Sequence, residues 1–408
     1  MDLKLNRETA HIMHIDLNSC FAMLEQQANP LIRHQPVAVA AYATPGGVIL
    51  AASYEAKDLG ITVGQRVRDA RAICPQLIVL TPDPDKYIDA HHRFKKVLLA
   101  YTNRVTPKSI DEFVLDLHDA SLVRPGSLET MGQRIKHDIS RMLGEYVTVN
   151  IGIAPNRFLA KLASGLHKPN GMDVITHANL ADIYAGLSLT DLPGINYRYA
   201  ARLRLAGINT PLQFLAAPAG QLQREVFHSI TGYYWYLRLR GYEIDAASFR
   251  RQSFGQQYAL GKKTADRTEL ARILLKLCVK AGRRLRQNNY EAWGIHLSLT
   301  FDDSSRWSRR NLAPSAIYSD QEIFHYANKL LLEAVIPARV SQVAVTVYHI
   351  SRVNPVQLNL LHKPYADNRA AAQATDAIND RYGEYTIMPA MMHDMDNVII
   401  KRIAFGGF

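Results

Sequence analysis

The sequence predicts an α+β fold with more than one domain, and three observations carry that reading. Apolar strand-like runs alternate with amphipathic helical stretches from residue 11 to residue 171, the pattern of a sheet covered by helices. The strand signal fades between 178 and 241, where short helices dominate, and returns between 253 and 350. The chain has 408 residues. At about 100–200 residues per domain it has room for roughly two to four cores.

In order, a strand over 11–15 runs into Asp16 and then a helix over 19–27. Segments 37–42 and 48–53 are apolar and uncharged, and they flank Pro45-Gly46-Gly47. That break predicts two strands joined by a turn rather than one membrane span. A short helix covers 54–59, and the Pro- and Asp-rich joint 81–85 leads into a helix from 87 to 103. A strand over 109–117, a helix over 127–143, a strand over 146–153 and a helix over 157–166 follow. The last ends at Lys168-Pro169-Asn170-Gly171, which has turn chemistry. After the short helices and a linker-like stretch over 243–252, residues 253–263 lead into a long helix over 269–287. A strand over 292–301, a helix over 320–335 and a strand over 343–350 complete a second α+β unit. The tail from Pro355 is polar and Ala-rich and is expected to be only partly ordered.

An apolar fraction of 48% with 21% charged residues excludes global disorder. Cys20, Cys74 and Cys278 are too few and too scattered for a disulfide framework or a Cys-based zinc site. With no apolar signal-like core in residues 1–10, they indicate a soluble, cytoplasmic protein without membrane contact. The formal net charge is +11, which points to a polyanionic partner. Residues 241–355 hold 17 Lys and Arg against 10 Asp and Glu, a net +7, so the second unit carries most of the excess. Its densest groups are Arg283-Arg284-Leu285-Arg286 and Arg306-Trp307-Ser308-Arg309-Arg310. The second interleaves a stackable ring with guanidinium donors, as nucleic-acid surfaces do.

The sharpest feature is Ser109-Ile110-Asp111-Glu112-Phe113-Val114-Leu115-Asp116. Two adjacent acids in an apolar strand pattern conflict with burial. Neighbouring strand residues face opposite ways, so both reach one centre only at a strand end. Asp16 stands likewise just past an apolar strand. If the two strands are neighbours, Asp16, Asp111 and Glu112 form one cluster of hard oxygen donors. Such a cluster suits Mg²⁺ and in-line phosphoryl or nucleotidyl transfer with two metal ions. Taken alone, the Asp-Glu pair reads better as strand-end acids in caps or surface ion pairs.

Five segments decide between these readings: His14-Ile15-Asp16-Leu17-Asn18-Ser19-Cys20-Phe21-Ala22, Ala52-Ser53-Tyr54-Glu55-Ala56-Lys57, Ser109-Ile110-Asp111-Glu112, Gly152-Ile153-Ala154-Pro155-Asn156-Arg157-Phe158-Leu159-Ala160-Lys161 and Lys168-Pro169-Asn170-Gly171. In that order and spacing the chain resembles the Y-family, or lesion-bypass, DNA polymerases, in their bacterial DinB/UmuC-related branch. The resemblance covers nearly all of 10–355. It implies a right-hand fold: a palm from 1–24 and 80–170, small fingers over 25–79, a helical thumb over 171–241, a linker over 242–252 and a little finger over 253–353. The remaining 354–408 would be a tail.

The resemblance assigns Asp16 and Asp111 to bridging two Mg²⁺ ions, Glu112 to the ion beside the primer 3′ hydroxyl, and the Leu17 carbonyl to backbone ligation. Tyr54, Lys57 and Lys161 match the triphosphate contacts; Lys57 stands where the family often has Arg and keeps the charge without the bidentate fork. Phe21 matches the aromatic gate that excludes a ribose 2′-OH, and Cys20 replaces a frequent aromatic beside it. Asp191-Leu192-Pro193-Gly194-Ile195, with Ala206-Gly207-Ile208, resembles a helix-hairpin-helix whose amides, at Gly194 above all, grip DNA phosphates. Asn196 replaces a usual glycine there and is expected to tolerate left-handed backbone. Arg306, Arg309 and Arg310 are the expected little-finger contacts to template DNA. Gln357-Leu358-Asn359-Leu360-Leu361 resembles the bacterial sliding-clamp motif, carried by Gln357, Leu358, Leu360 and Leu361.

The chain is thus expected to be a monomeric, template-directed, low-fidelity DNA polymerase without proofreading, acting on primer–template DNA and dNTPs with two Mg²⁺ ions and the sliding clamp. A catalytically silent DNA- and clamp-binding scaffold would have lost the three acids. A palm-type nucleotide cyclase would need neither the hairpin nor the basic second unit.

Overall fold

The computed structural model describes residues 3–118, 127–246, 250–353, 364–395 and 398. The chain divides at 248/249 into two compact units.

The first unit opens with β1 (Ile12–Leu17), α1 (Cys20–Ala28), β2 (Val37–Ala40), β3 (Ile49–Ala52), α2 (Tyr54–Asp58), α3 (Val67–Ile73) and β4 (Ile78–Leu80). Next come α4 (Pro84–Leu98), β5 (Val105–Pro107), β6 (Glu112–Asp116), α5 (Ser127–Leu143), β7 (Val149–Ala154), α6 (Arg157–Leu166) and β8 (Met172–Val174). The helical stretch comprises α7 (Leu180–Ala185), α8 (Tyr197–Leu205), α9 (Pro211–Ala216), α10 (Ala219–Gln221), a π-helical turn at Leu222–Val226, and α11 (Thr231–Leu239). α4 starts earlier than the apolar periodicity suggested, because the Asp83 side chain accepts from the Lys86 amide and Pro84 takes the first turn.

Five strands form the main sheet in the order β5-β6-β1-β7-β8, antiparallel except for β7–β8. β1 lies at its centre, with both faces covered, and its residues other than His14 and Asp16 are apolar. One face packs Met13, Ile15, Phe113, Leu115 and Ile151 against Tyr87, Phe94 and Leu98 of α4 and Ile135 and Ile139 of α5. The other packs Ile12, Val114 and Ala154 against Phe158, Leu159 and Leu162 of α6, in a core that continues into Phe214 and Trp235 of the helical stretch. α6 lies so close to β7 that a Cβ at Gly152 would stand 2.0 Å from the Ala160 carbonyl oxygen, which requires glycine. β3-β2-β4 form a separate small sheet with its own core around Ile49, Ala52, Ile61 and Leu77.

The expected hairpin is a 3₁₀ turn at Leu189–Asp191, a left-handed Gly194 (φ 91°) and then α8. Asn196 is not left-handed. Its backbone is extended (φ −87°, ψ 175°), and its side chain caps α8 by accepting from the amides of Arg198 and Tyr199.

The second unit contains β9 (Ser253–Thr264), α12 (Arg267–Gln287), β10 (Tyr290–Phe301), β11 (Arg306–Ile317), α13 (Asp320–Glu333), β12 (Val340–Arg352) and α14 (Pro364–Tyr382). Its four strands run in the order β11-β10-β12-β9, all antiparallel. α12 and α13 cover one face, where Leu270, Leu274, Leu277, Ile323 and Leu330 meet Ile295, Leu297, Val343 and Val345. The alternate residues, His296, Ser298, Thr346 and Gln257 among them, belong to the open face.

After residue 355 the described residues are 364–395 and 398. α14 is a 19-residue helix, and Met392 and Met395 enter the core beneath α12. Four basic residues of α12 hold this segment, Arg272 by donating to the carbonyls of Met391 at 3.0 Å and His393 at 2.5 Å. Arg286, with its side chain 3% exposed, bonds Asp376 at 2.6 Å and Asp320 at 2.7 Å. Arg283 bonds Asp380 at 2.5 Å, and the buried Lys276 donates to the Met395 carbonyl at 2.6 Å. Two arginines of the 283–286 cluster are therefore engaged inside the unit. Residues Gln357, Leu358, Leu360 and Leu361 lie outside the described residues.

Candidate active site

Asp16, near the end of β1, stands between Glu112 of β6 and Asn150 of β7 in register. Directly opposed residues share a face, so Asp16 and Glu112 project together on the side of α6. Asp111 lies one residue before β6, where strand alternation no longer binds it to the opposite face. Its carbonyl accepts from the Leu17 amide at 2.9 Å, which ties the end of β1 to the Asp-Glu turn. Ser109 Oγ donates to Asp111 Oδ1 at 2.5 Å.

Three lysines face these acids. Lys161, from α6, donates to both oxygens of Glu112 at 2.8 and 2.7 Å. Lys168, just beyond α6, reaches Asp16 Oδ2 at 2.5 Å. Lys57 donates to Ser19 Oγ at 2.7 Å and lies 4.4 Å from the centre of the Tyr54 ring. Tyr54 in turn donates to Asn18 Oδ1 at 3.3 Å. The structure thus gathers Asp16, Asp111, Glu112, Tyr54, Lys57 and Lys161 around one strand end. Lys168 was missed as a site residue, although the Lys-Pro-Asn-Gly segment that contains it was visible as a turn.

Burial pushes the Asp16 carboxyl up to about 6, against the pull of Lys168 and with added repulsion from Glu112 and Asp111. Asp111 is raised as well, by burial first, with Ser109 opposing. Glu112 moves the other way: burial would raise it, but Lys161, His14 and Lys168 together outweigh that and hold it low. Tyr54 is pushed up to about 12 by burial and then by Asp16, while burial and Lys168 lower Lys57. A like-charged, oxygen-only donor set in which Asp16 and Asp111 resist ionising is one that a hard divalent cation relieves. Among the described residues, no three such side chains already converge as a cation site; here the lysines neutralise the acids instead.

Phe21 lies in the core of the same unit, 4% exposed, stacked on Tyr87 with ring centroids 4.5 Å apart and planes 14° from parallel. Tyr87 is fixed by its hydroxyl, which donates to Glu25 at 2.7 Å. Cys20 is buried beside it. Gly194 of the hairpin borders a cavity of about 540 Å³ that Glu112, Lys161 and Arg157 also line, so the hairpin opens onto the acidic strand end.

The second unit divides the three arginines of β11. Arg306 and Arg310 stand opposite Thr300 and His296 and belong to the open face. Arg309 stands opposite the buried Leu297, toward the helical face, 3.0 Å from Glu333 of α13.

Residues 15–165 match the family model described as impB/mucB/samB family, and residues 251–360 match that of its C-terminal domain. The DNA polymerase IV of Pelotomaculum thermopropionicum is 31% identical over 397 residues, 96% of this chain and 97% of that protein. That of Moorella thermoacetica is 31% identical over 391 residues, 93% and 95% of the two chains. DNA polymerase IV 1 of Bacillus subtilis is 30% identical over 327 residues, 79% and 78% of the two. Among solved structures, a Dbh–Dpo4 chimera of Y-family DNA polymerases superposes with a TM-score of 0.72 at 24% identity, covering 84% of this chain and 99% of that one. An insertion ternary complex of Dbh DNA polymerase gives 0.59 at the same identity and coverage.

Proposed function

The chain belongs to the impB/mucB/samB family of Y-family DNA polymerases, and from that premise we propose that it performs template-directed DNA synthesis across damaged bases by two-metal nucleotidyl transfer. The observation that carries the mechanism is Asp16 opposite Glu112, with Asp111 at the adjoining strand end. Asp16, Asp111 and Glu112, with the Leu17 carbonyl, would hold two Mg²⁺ ions. When bound, these ions polarise the α-phosphate, lower the pKa of the primer 3′ hydroxyl and neutralise departing pyrophosphate.

The chain's own residues do the rest. Lys161 and Lys168 exchange their carboxylate partners for phosphate oxygens, and Lys57 and Tyr54 add a third cation and a phenol donor. Phe21, backed by the Tyr87 ring, closes the space under the sugar so that a 2′-OH collides with it. The hairpin at Gly194 takes primer–template phosphates through backbone amides.

The five-stranded sheet with α4, α5 and α6 corresponds to the palm, the β3-β2-β4 sheet to the fingers, 171–241 to the thumb, and the unit from 253 to the little finger. In that last unit Arg306 and Arg310 would meet the template backbone from the open sheet face, whereas Arg309, which pairs with Glu333 on the helical side, would not share that face. The enzyme acts as a cytoplasmic monomer, and Gln357, Leu358, Leu360 and Leu361 engage the sliding clamp. With no exonuclease site assigned, fidelity rests on the gate and the shape of the site alone, and is low.

Primer extension with Mg²⁺ on undamaged and abasic templates tests this reading. Extension on both is expected; binding of primer–template without addition of a nucleotide would leave a DNA-binding scaffold in its place.

A further inference from the structure

His14 is unused by the chemistry above. It lies on β1 two residues before Asp16, on the same sheet face, and is 1% exposed. Neither ring nitrogen has a hydrogen-bond partner among the described residues. A buried polar atom without a partner is destabilising, and a leucine would fill the same space without that penalty. A neutral imidazole has one ring nitrogen as a donor and the other as an acceptor. Glu112 Oε2 stands 3.9 Å from Nε2, about 1 Å beyond hydrogen-bond length.

Glu112 is at present held by Lys161, through both of its oxygens. Lys161 is an exposed cation, with 44% of its side chain accessible, and it faces the cavity that His14 and Glu112 also line. That cavity leaves room for the carboxylate to turn. If Lys161 moves to an incoming phosphate, Glu112 loses both bonds at once and needs a new donor. We propose that His14 is a positioning residue for Glu112: as Lys161 leaves, the Nε2–H of His14 becomes the hydrogen-bond donor to Glu112 Oε2 and fixes the angle of the carboxylate toward the metal it ligates. This inference rests on the polymerase reading of the site. It makes Lys161 and His14 alternate partners of one carboxylate, the first in the resting enzyme and the second in the loaded one.

The test compares His14→Leu and His14→Gln with wild type, each bound to primer–template with a non-extendable primer and dNTP, using Mn²⁺ as the probe and reading its binding by electron paramagnetic resonance. Outer partners of metal ligands typically contribute 10–100-fold in affinity or rate. His14→Leu should therefore bind Mn²⁺ roughly 10-fold or more weakly, with a matching fall in kcat and little change in KM for dNTP. It should melt no lower than wild type, because the orphaned nitrogens are gone. His14→Gln, whose amide N–H reaches a similar point, should recover most of the loss. Wild-type Mn²⁺ affinity in His14→Leu, or an equal loss in both variants, would overturn the proposal. Asp111→Ala serves as the control: if it leaves Mn²⁺ binding unchanged, the metal site itself has been misread, which is a different failure.

Discussion

Asp16 and Glu112 face each other across the β1–β6 ladder, and each is neutralised by a lysine from the α6 region, Lys168 and Lys161 respectively. The acids that would hold cations and the cations that would hold phosphates thus satisfy one another before substrate arrives. Two opposed carboxylates on one buried sheet face would repel strongly without those partners. In the proposed mechanism, substrate and metal together would replace each internal pair with an external one.

The first consequence is a pH dependence. The Asp16 carboxyl titrates near 6 in the fold against 3.8 ordinarily, so the folded chain binds that proton more tightly than the unfolded one. The resulting stabilisation is complete below about pH 4 and is lost as pH rises through about 6. Asp16→Asn removes the charge that burial penalises. In EDTA at pH 7.5 it should melt higher, by on the order of 1–3 kcal/mol, and the gap should close toward pH 4. Calorimetry from pH 4 to 8 measures this, and a pH-independent gap would contradict it. The same proton competes with metal, so the half-saturating Mg²⁺ concentration should climb below about pH 6.

Lys168 and Lys161 are expected to act on the nucleotide as well as on the fold. A hydrogen bond to a charged group contributes about 1.5–3 kcal/mol. Lys168→Ala and Lys161→Ala should therefore each raise KM for dNTP roughly 10-fold or more, and each should lower the melting temperature in the metal-free enzyme by leaving Asp16 or Glu112 without its partner. Steady-state kinetics decides, and unchanged KM in both variants would remove the lysines from triphosphate binding.

Phe21→Ala has two separable effects. Loss of a ring stacked on Tyr87 in a closed core should destabilise the first unit by about 3–5 kcal/mol. Opening the space beneath the sugar should raise ribonucleotide incorporation relative to deoxynucleotide. A destabilised variant with unchanged sugar discrimination would make Phe21 a core residue and no gate.

In the second unit, Arg286 and Arg306 should behave oppositely. Arg286 is buried between Asp376 and Asp320, and Arg286→Ala should cost about 3–5 kcal/mol by leaving both acids unpaired. Arg306 lies on the open sheet face. Arg306→Ala should leave stability nearly unchanged and lower the salt dependence of DNA binding by about one phosphate contact. Thermal melting and a salt titration of DNA affinity read the two.

Much of this was legible in the sequence because the signals are local. β1, β6 and β7 announce themselves as apolar runs, and Asp111-Glu112 stands out against its strand. β4, β5 and β8 did not, since three residues are too few to display a period. β11 was missed because a basic edge strand alternates two polar faces. Once its register against β10 is known, the same alternation separates Arg306 and Arg310 from Arg309. Arg286 read as part of a basic surface because its partner Asp376 lies 90 residues away. For the same reason the sequence did not show how residues 364–395 are held: their partners are on α12, which local composition does not reveal.

The most direct measurement is single-nucleotide primer extension by wild type and Asp111→Ala at saturating Mg²⁺ and dNTP, with primer–template affinity measured alongside. Wild type should add the templated nucleotide, and Asp111→Ala should bind DNA as well as wild type but add nothing detectable. Extension by Asp111→Ala at the wild-type rate would contradict the assignment of this acidic strand end as the catalytic centre.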